Sequence, residues 1–538
     1  MLIIKKDDGV MESVQVPQQP FYGTVRKKML AFSQPVTASL EDGKGKKPIY
    51  ALDGVRGVAC LSVVIFHVNM LAYYAHIWTP PFDNAGILLS AIAWMGDSGV
   101  KLFFILSGFL LFLPYARALL FDSDWPSFRR FYARRIFRIL PGYYVAFFLI
   151  VLFMVPESFQ PANWHNVWMF ITFRNDFSES YQMPIPVFWT LAIEFQFYLL
   201  LPPIMWLIRP LVRRGALARR VLMLTLCLLG LLGWGLLTRY WGLFIADTPK
   251  LDYLLPHTTF VAIKPYIYGK AGKYFDVFAI GMLICMVYTY LHHAPSAEHL
   301  KTLVRRLSPP LFVVGLILLD LTGIWSFYAG FAHMSLHFLD RYQDFFINYK
   351  EMFMPICYGT GYGLCVFAVL HGPRGLKRPF EWAPLRQVGL ISYSLYIWHY
   401  VFMLYFLWTF LPRFQILHWS PVVQYAIFWV WVLLTAFPLS AALYRQVELP
   451  AIRLGEQFCL RFAVPKQKTE PVSVSVNELW EEIATAIIPV PVTDARTNET
   501  VVPPPDHDLS SSTEAVSSLV TIPITLTTEV HPASDISV

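Results

Sequence analysis

Along most of the chain the apolar positions come in long blocks rather than at the spacing of an amphipathic helix or a half-buried strand. Runs such as Phe147–Val155, Val221–Leu237 and Leu311–Leu321 show no polar stripe. Several blocks approach the roughly 20 residues needed to cross a bilayer, which predicts transmembrane helices. Ten are expected, over 51–74, 98–119, 137–155, 187–208, 220–238, 274–291, 310–328, 351–371, 388–411 and 422–444. The run near Trp164–Phe173 is too short to span and reads as interfacial. The expected fold class is therefore all-α, a polytopic integral membrane protein.

Composition agrees with this reading. Of 538 residues, 56% are hydrophobic and only 15% charged, where an ordinary soluble domain carries about 25% charge. That excludes a soluble multidomain protein and a disordered chain. The six cysteines are scattered with no CxxC pair, so neither a disulfide framework nor a metal site is expected. The N-terminus, MLIIKKDDGV, has no apolar core of the kind a cleavable signal peptide needs.

The net charge of +7 is unevenly placed. From residue 464 onward three basic residues face eleven acidic ones, so the basic excess lies in the membrane part. Arg129, Arg130, Arg134 and Arg135 precede the third span, Arg213, Arg214, Arg219 and Arg220 follow the fourth, and Lys301, Arg305 and Arg306 follow the sixth. The loop 75–97 has no Lys or Arg, and 156–186 has only Arg174. Basic loops face the cytosol, which places both termini there and makes this a multi-pass cell-membrane protein. The partners so implied are membrane lipids, not nucleic acid. One loop goes against the trend: 239–273 is expected outside yet carries Arg239, Lys250, Lys264, Lys270 and Lys273. Three regions follow: a cytosolic segment 1–48, a membrane domain 49–455, and a disordered acidic cytosolic tail 456–538 rich in Pro, Ser, Thr and Val. Asn498 opens a glycosylation sequon, but a cytosolic tail would leave it unused.

Ionisable residues inside spans are costly, and they mark either function or pairing. In the first span Arg56 and His67 stand eleven residues apart, within about 20° of three full helical turns and about 16 Å along the axis. Asp53 lies one turn before Arg56 and can pair with it. Glu194, in the fourth span, comes out at the same depth as His67, and a carboxylate that orients an imidazole makes a general-base unit. A structural ion pair would have the same composition. Arg134, Arg135 and Arg138 lead into the third span, and clustered guanidinium groups suit phosphate recognition as well as lipid anchoring. In the ninth span Ser392, Tyr396 and His399 share one face by their i, i+4, i+7 spacing, as substrate contacts or as helix packing. Gly96-Asp97-Ser98 resembles the nucleophile block of serine esterases but lacks a partner DxxH and is rejected.

Six ordered segments carry a family resemblance: LDGVRGVACLSVVIFH, SGVKLFFILSGFLL, FYARRIFRILPGYY, FWTLAIEFQFYLLLP, ISYSLYIWH, and the closing Tyr444-Arg-Gln-Val-Glu448-Leu-Pro450. Together they resemble the membrane acyltransferase-3 family of O-acyltransferases over residues 50–453. Arg56 and His67 match its Arg-x10-His motif, and Arg134, Arg135 and Arg138 its arginine-rich motif. Lys101 departs from the acidic or neutral residue common before Leu-Phe-Phe, which leaves the charge of the acceptor open. No SGNH esterase domain follows the spans, so a fused two-step form is not expected.

The resemblance implies transfer of an acyl group, often acetyl, from cytosolic acyl-CoA to a hydroxyl of a carbohydrate or glycosylated lipid or metabolite, with no metal. The 16 Å between Arg56 and His67 compares with the reach of an extended pantetheine arm. Two chemistries remain open: His67, oriented by Glu194, as general base, or His67 carrying the acyl group covalently. A transporter or flippase of a lipid-linked saccharide is the alternative class, since buried charges in ten spans suit it too.

Overall fold

A computed structural model describes residues 2–5, 11–14, 49–78, 86–177, 185–248, 256–331 and 341–461 of the chain. Ten helices are long and apolar enough to cross a membrane. We name them α1 (Tyr50–Tyr74), α2 (Gly99–Leu120), α3 (Phe128–Met154), α4 (Phe188–Val212), α5 (Leu217–Phe244), α6 (Phe275–His293), α7 (Glu298–Phe331), α8 (Lys350–His371), α9 (Ser392–Thr409) and α10 (Pro421–Leu443). They coincide with the ten expected spans, and the protein is an all-α polytopic membrane protein. A short antiparallel ribbon pairs Leu2–Lys5 with Met11–Val14. Residues 462–538, which include most of the expected acidic tail and Asn498, lie outside the described residues.

Two helices start well before their apolar windows, α3 at Phe128 and α7 at Glu298. Hydropathy marks only the stretch that needs lipid, whereas Arg, Lys and Glu are good helix formers and carry the helix on into water. The same reason carries a π-helical turn (Tyr444–Glu448) and an amphipathic helix (Leu449–Arg461) beyond α10, through the expected domain boundary at 455. Between α3 and α4 an eight-residue helix, Trp164–Ile171, occupies the segment read as interfacial. Its last carbonyls lack intrahelical partners; Tyr143 and Tyr144 of α3 donate to Phe170 O and Ile171 O at 2.9 and 2.8 Å.

The helices sort into an inner and an outer set. The apolar window of α2 is 72% buried, against 22% for α5 and α10. Exposed apolar side chains such as Leu207, Leu434 and Val422 cover the outer set, as a lipid-facing surface requires. The start of α1 is fixed by close backbone contact: a Cβ at Gly389, in the short helix Ala383–Leu390, would come 1.8 Å from Asp53 O. Glycine there lets that helix press against the first turn of α1, holding Asp53 and Arg56 in place.

The irregular basic loop is also explained. Arg239 binds Asp276 through two hydrogen bonds of 2.8 and 3.0 Å, with both side chains buried. Lys264 pairs with Asp247 and Lys273 with Asp176. Arg239 and Lys273 are thus internal ion-pair members rather than loop charge facing water. Lys250 lies outside the described residues.

Candidate active site

Five helices bring polar side chains to one cavity. Arg56 comes from α1, Ser107 from α2, Arg135 and Arg138 from α3, Thr190, Glu194 and Tyr198 from α4, and Ser392, Tyr393 and Tyr396 from α9. With its open mouth the cavity encloses about 770 Å³. Apolar residues including Phe103, Leu106, Leu110 and Leu191 complete the wall.

Glu194 is held by hydroxyls. Ser107 Oγ and Tyr198 OH both donate to its Oε1. Tyr198 stands four residues after Glu194 and so lies on the same helical face. The Tyr198 ring lies under Arg135, 6.0 Å from guanidinium carbon to centroid. Arg56 sits within electrostatic reach of Arg138, Asp53, Tyr198 and Glu194. Yet among the described residues no carboxylate lies within 4.0 Å of Arg56, Arg135 or Arg138. The expected Asp53–Arg56 pair is not closed, and Asp53 Oδ2 has no hydrogen-bond partner.

His67 stands beyond one wall of the cavity. Its Nδ1 is 3.0 Å from Val63 O and 3.0 Å from His399 Nε2. The Phe66 and Tyr400 rings approach it edge-on at 5.1 Å. Between this pair of imidazoles and the cavity stands Tyr396, its ring 5.9 Å from that of His399 and 6.1 Å from that of Phe103. The Tyr396 hydroxyl lies 2.7 Å from Thr190 Oγ1 and donates to Val187 O at 3.2 Å. No group of three or more metal-ligating side chains occurs among the described residues.

The family model for the acyltransferase domain matches residues 49–445, most of the chain. The chain belongs to this acyltransferase family. It is 25% identical over 376 residues to the peptidoglycan O-acetyltransferase OatA of Listeria monocytogenes, covering 66% of this chain and 49% of that protein. It is also 25% identical to the putative peptidoglycan O-acetyltransferase YrhL of Bacillus subtilis over 370 residues (65% and 48%), and to the O-acetyltransferase OatA of Staphylococcus aureus strain MRSA252 over 445 residues (78% and 59%). The chain thus spans about half the length of the curated relatives it matches. No solved structure matches it.

In this family member three of the four arginines singled out by sequence, Arg56, Arg135 and Arg138, share the cavity. Arg134 does not line it, being turned about 100° from Arg135 on the same helix. Ser392 and Tyr396 line it and His399 does not, although all three occupy one face of α9. The expected Glu194–His67 pair is replaced. Equal depth on two helices does not turn their side chains toward each other, and hydroxyls on α2 and α4 reach Glu194 first. Sequence reasoning missed Ser107, Thr190 and Tyr198. For Tyr198 the i+4 spacing from Glu194 was a usable signal; for Ser107 and Thr190 nothing short of the helix packing identifies the partner.

Proposed function

We propose that this acyltransferase moves an acyl group from acyl-CoA, bound from the basic cytosolic side, to a hydroxyl of a carbohydrate in the cell envelope. One observation carries the reading: three guanidinium groups without carboxylate partners line one cavity, and a pair of imidazoles stands behind its aromatic wall. Guanidinium forks match phosphate oxygens bidentately, so Arg56, Arg135 and Arg138 are the residues for the CoA phosphates. The relatives' names make acetyl the favoured acyl group and, for the Listeria protein, peptidoglycan the acceptor; a glycan of that type is the first acceptor to supply here.

His67 is the catalytic base of this reading. Its Nε2 takes the proton of the acceptor hydroxyl as that oxygen bonds to the thioester carbonyl carbon. The carbon–sulfur bond breaks, and the CoA thiolate leaves and takes up the proton. Access to His67 runs past Tyr396, which must turn off Thr190 for the thioester to arrive. Glu194, with Ser107 and Tyr198, forms the polar wall against the arginines and does not orient the imidazole.

The test is thiol release from acetyl-CoA by purified protein in detergent, with a soluble β-1,4-linked N-acetylglucosamine oligomer or isolated peptidoglycan as acceptor. Thiol release that depends on the glycan, with one acetyl added to its mass and both lost in His67→Ala, is expected. Glycan transport into vesicles without thiol release would overturn the reading, as would full activity of a well-folded His67→Ala.

A further inference from the structure

His399 has no nitrogen to spare for a substrate. It is fully buried, its Nδ1 is 2.9 Å from Leu395 O, and its Nε2 is 3.0 Å from His67 Nδ1. The proton positions follow from the partners. A backbone carbonyl can only accept, so Nδ1 of His399 carries a hydrogen and, in the neutral ring, Nε2 carries the lone pair. The same holds for His67, whose Nδ1 faces Val63 O. Its single Nδ1–H is then shared between two acceptors, the carbonyl of its own helix and Nε2 of His399. His67 Nε2 is left as the lone-pair nitrogen, with no hydrogen-bond partner among the described residues.

We propose that His399 is a positioning residue: by accepting from His67 Nδ1–H it fixes the tautomer and ring plane of His67, so that Nε2 is the free base. The proposal rests on the reading of His67 as the base and replaces the expectation that His399 contacts substrate. The carbonyl of Val63 alone leaves the ring free to pivot about its own helix. A second acceptor from α9, a helix 332 residues away in sequence, ties the ring to the element that also carries Tyr396 and Ser392. In a ring oriented this way the second nitrogen's partner decides which nitrogen is basic. Acidic groups do not take this role: Glu194 is engaged by Ser107 and Tyr198 on the far side of Tyr396.

Three substitutions separate positioning from packing. The carbonyl oxygen of His399→Gln falls near the place of Nε2 and can accept from His67. The side-chain amide of His399→Asn falls near Nδ1, where its NH2 can donate to Leu395 O, and leaves His67 without its partner. His399→Leu removes both contacts. Thiol release from acetyl-CoA with the same glycan acceptor is measured for each, along with thermal unfolding. Expected are a kcat within about threefold of wild type for Gln and a loss of roughly 100-fold or more for Asn and Leu, with KM for acetyl-CoA within about twofold throughout. If the Leu variant does not fold, the Asn and Gln pair decides alone. A folded Asn variant with wild-type kcat overturns the proposal, as does a Gln variant as inactive as Asn, or an effect confined to KM. His67→Ala keeps the two claims apart. If it is inactive while the His399 variants turn over normally, only the positioning role fails. If it is active, the catalytic reading fails with it.

Discussion

Two regions of the membrane domain use the same charged residues in opposite ways. Where α5 meets α6, Arg239 lies in a closed pair with Asp276, and nearby Lys273 binds Asp176 and the side-chain carbonyl of Gln196, the latter at 2.9 Å. Glycine makes this closeness possible: a Cβ on Gly235 would come 2.4 Å from Asp276 N. Lys273 stands outside the spans, and burial pulls its ammonium below the ordinary lysine range against the opposing pull of Asp176. Around the cavity, by contrast, Arg56, Arg135 and Arg138 have a wall of hydroxyls and rings for company and no carboxylate at contact distance. A buried cation closed on its own counter-ion is finished structure. One kept without a partner is costly unless an anion arrives, and that is the physical difference between a strut and a binding site.

The sharpest way to break this comparison is to open the closed pair. Arg239→Met alone strands the Asp276 carboxylate among buried side chains, and removal of one partner of a buried pair costs about 3–5 kcal/mol. Thermal unfolding in detergent should show a large loss. Arg239→Met with Asp276→Leu should recover most of it, because replacing both partners removes the uncompensated charge. Specific activity per folded molecule should stay at wild type in both, since neither residue lines the cavity. A single variant that unfolds like wild type would mean that the pair is not the strut described.

The next effect is smaller in energy and opposite in kind. Arg56→Ala, Arg135→Ala and Arg138→Ala should leave thermal stability unchanged or raise it, because each removes a cation with no carboxylate partner. Each should raise KM for acetyl-CoA. A hydrogen bond to a charged group is worth about 1.5–3 kcal/mol, or roughly 10- to 150-fold in affinity. Titration of CoA against 3′-dephospho-CoA and 4′-phosphopantetheine tells which phosphate each arginine meets. Destabilisation by more than about 1 kcal/mol with KM unchanged would place these arginines with the struts.

How much of this could be read from the chain follows from which interactions are local. A bilayer imposes its thickness directly on the apolar runs, so the spans were legible, as was the brevity of the segment at Trp164. Relations within one helix were legible for the same reason: Arg56 and His67 on one face, or Ser392, Tyr396 and His399 on another. Relations between helices were not. Nothing in the spacing of α1 or α9 says that His67 will meet His399, and depth alone suggested Glu194 in its place. The roles of Arg239 and Lys273 were hidden similarly, because a loop count sees charges and not their partners. The starts of α3 and α7 escaped because hydropathy is silent once a helix leaves lipid.

The smallest expected effect concerns a pair that is neither closed in the interior nor open to a cavity. Asp122, in the connection between α2 and α3, accepts from Arg213 Nη2 at 2.9 Å and Arg220 Nη1 at 2.6 Å. These bonds, Arg213 first, hold its carboxyl below the ordinary carboxylate value. For an acid so shifted, the stabilisation is fully present above the unfolded-state value of about 3.9 and is lost as pH falls through the lower folded-state value. The site is exposed, so screening by water and salt reduces the contribution to below about 1 kcal/mol. Its backbone has φ of +51°, a left-handed conformation that Asn tolerates as well as Asp, so Asp122→Asn removes the charge without straining the turn. Melting curves from pH 7 down to pH 3 should show wild type and Asp122→Asn differing slightly at neutral pH and converging at the acid end. High salt should erase the difference. A neutral-pH gap as large as that of Arg239→Met would mean that surface pairing between α2, α4 and α5, rather than the buried pair, carries the stability of this domain.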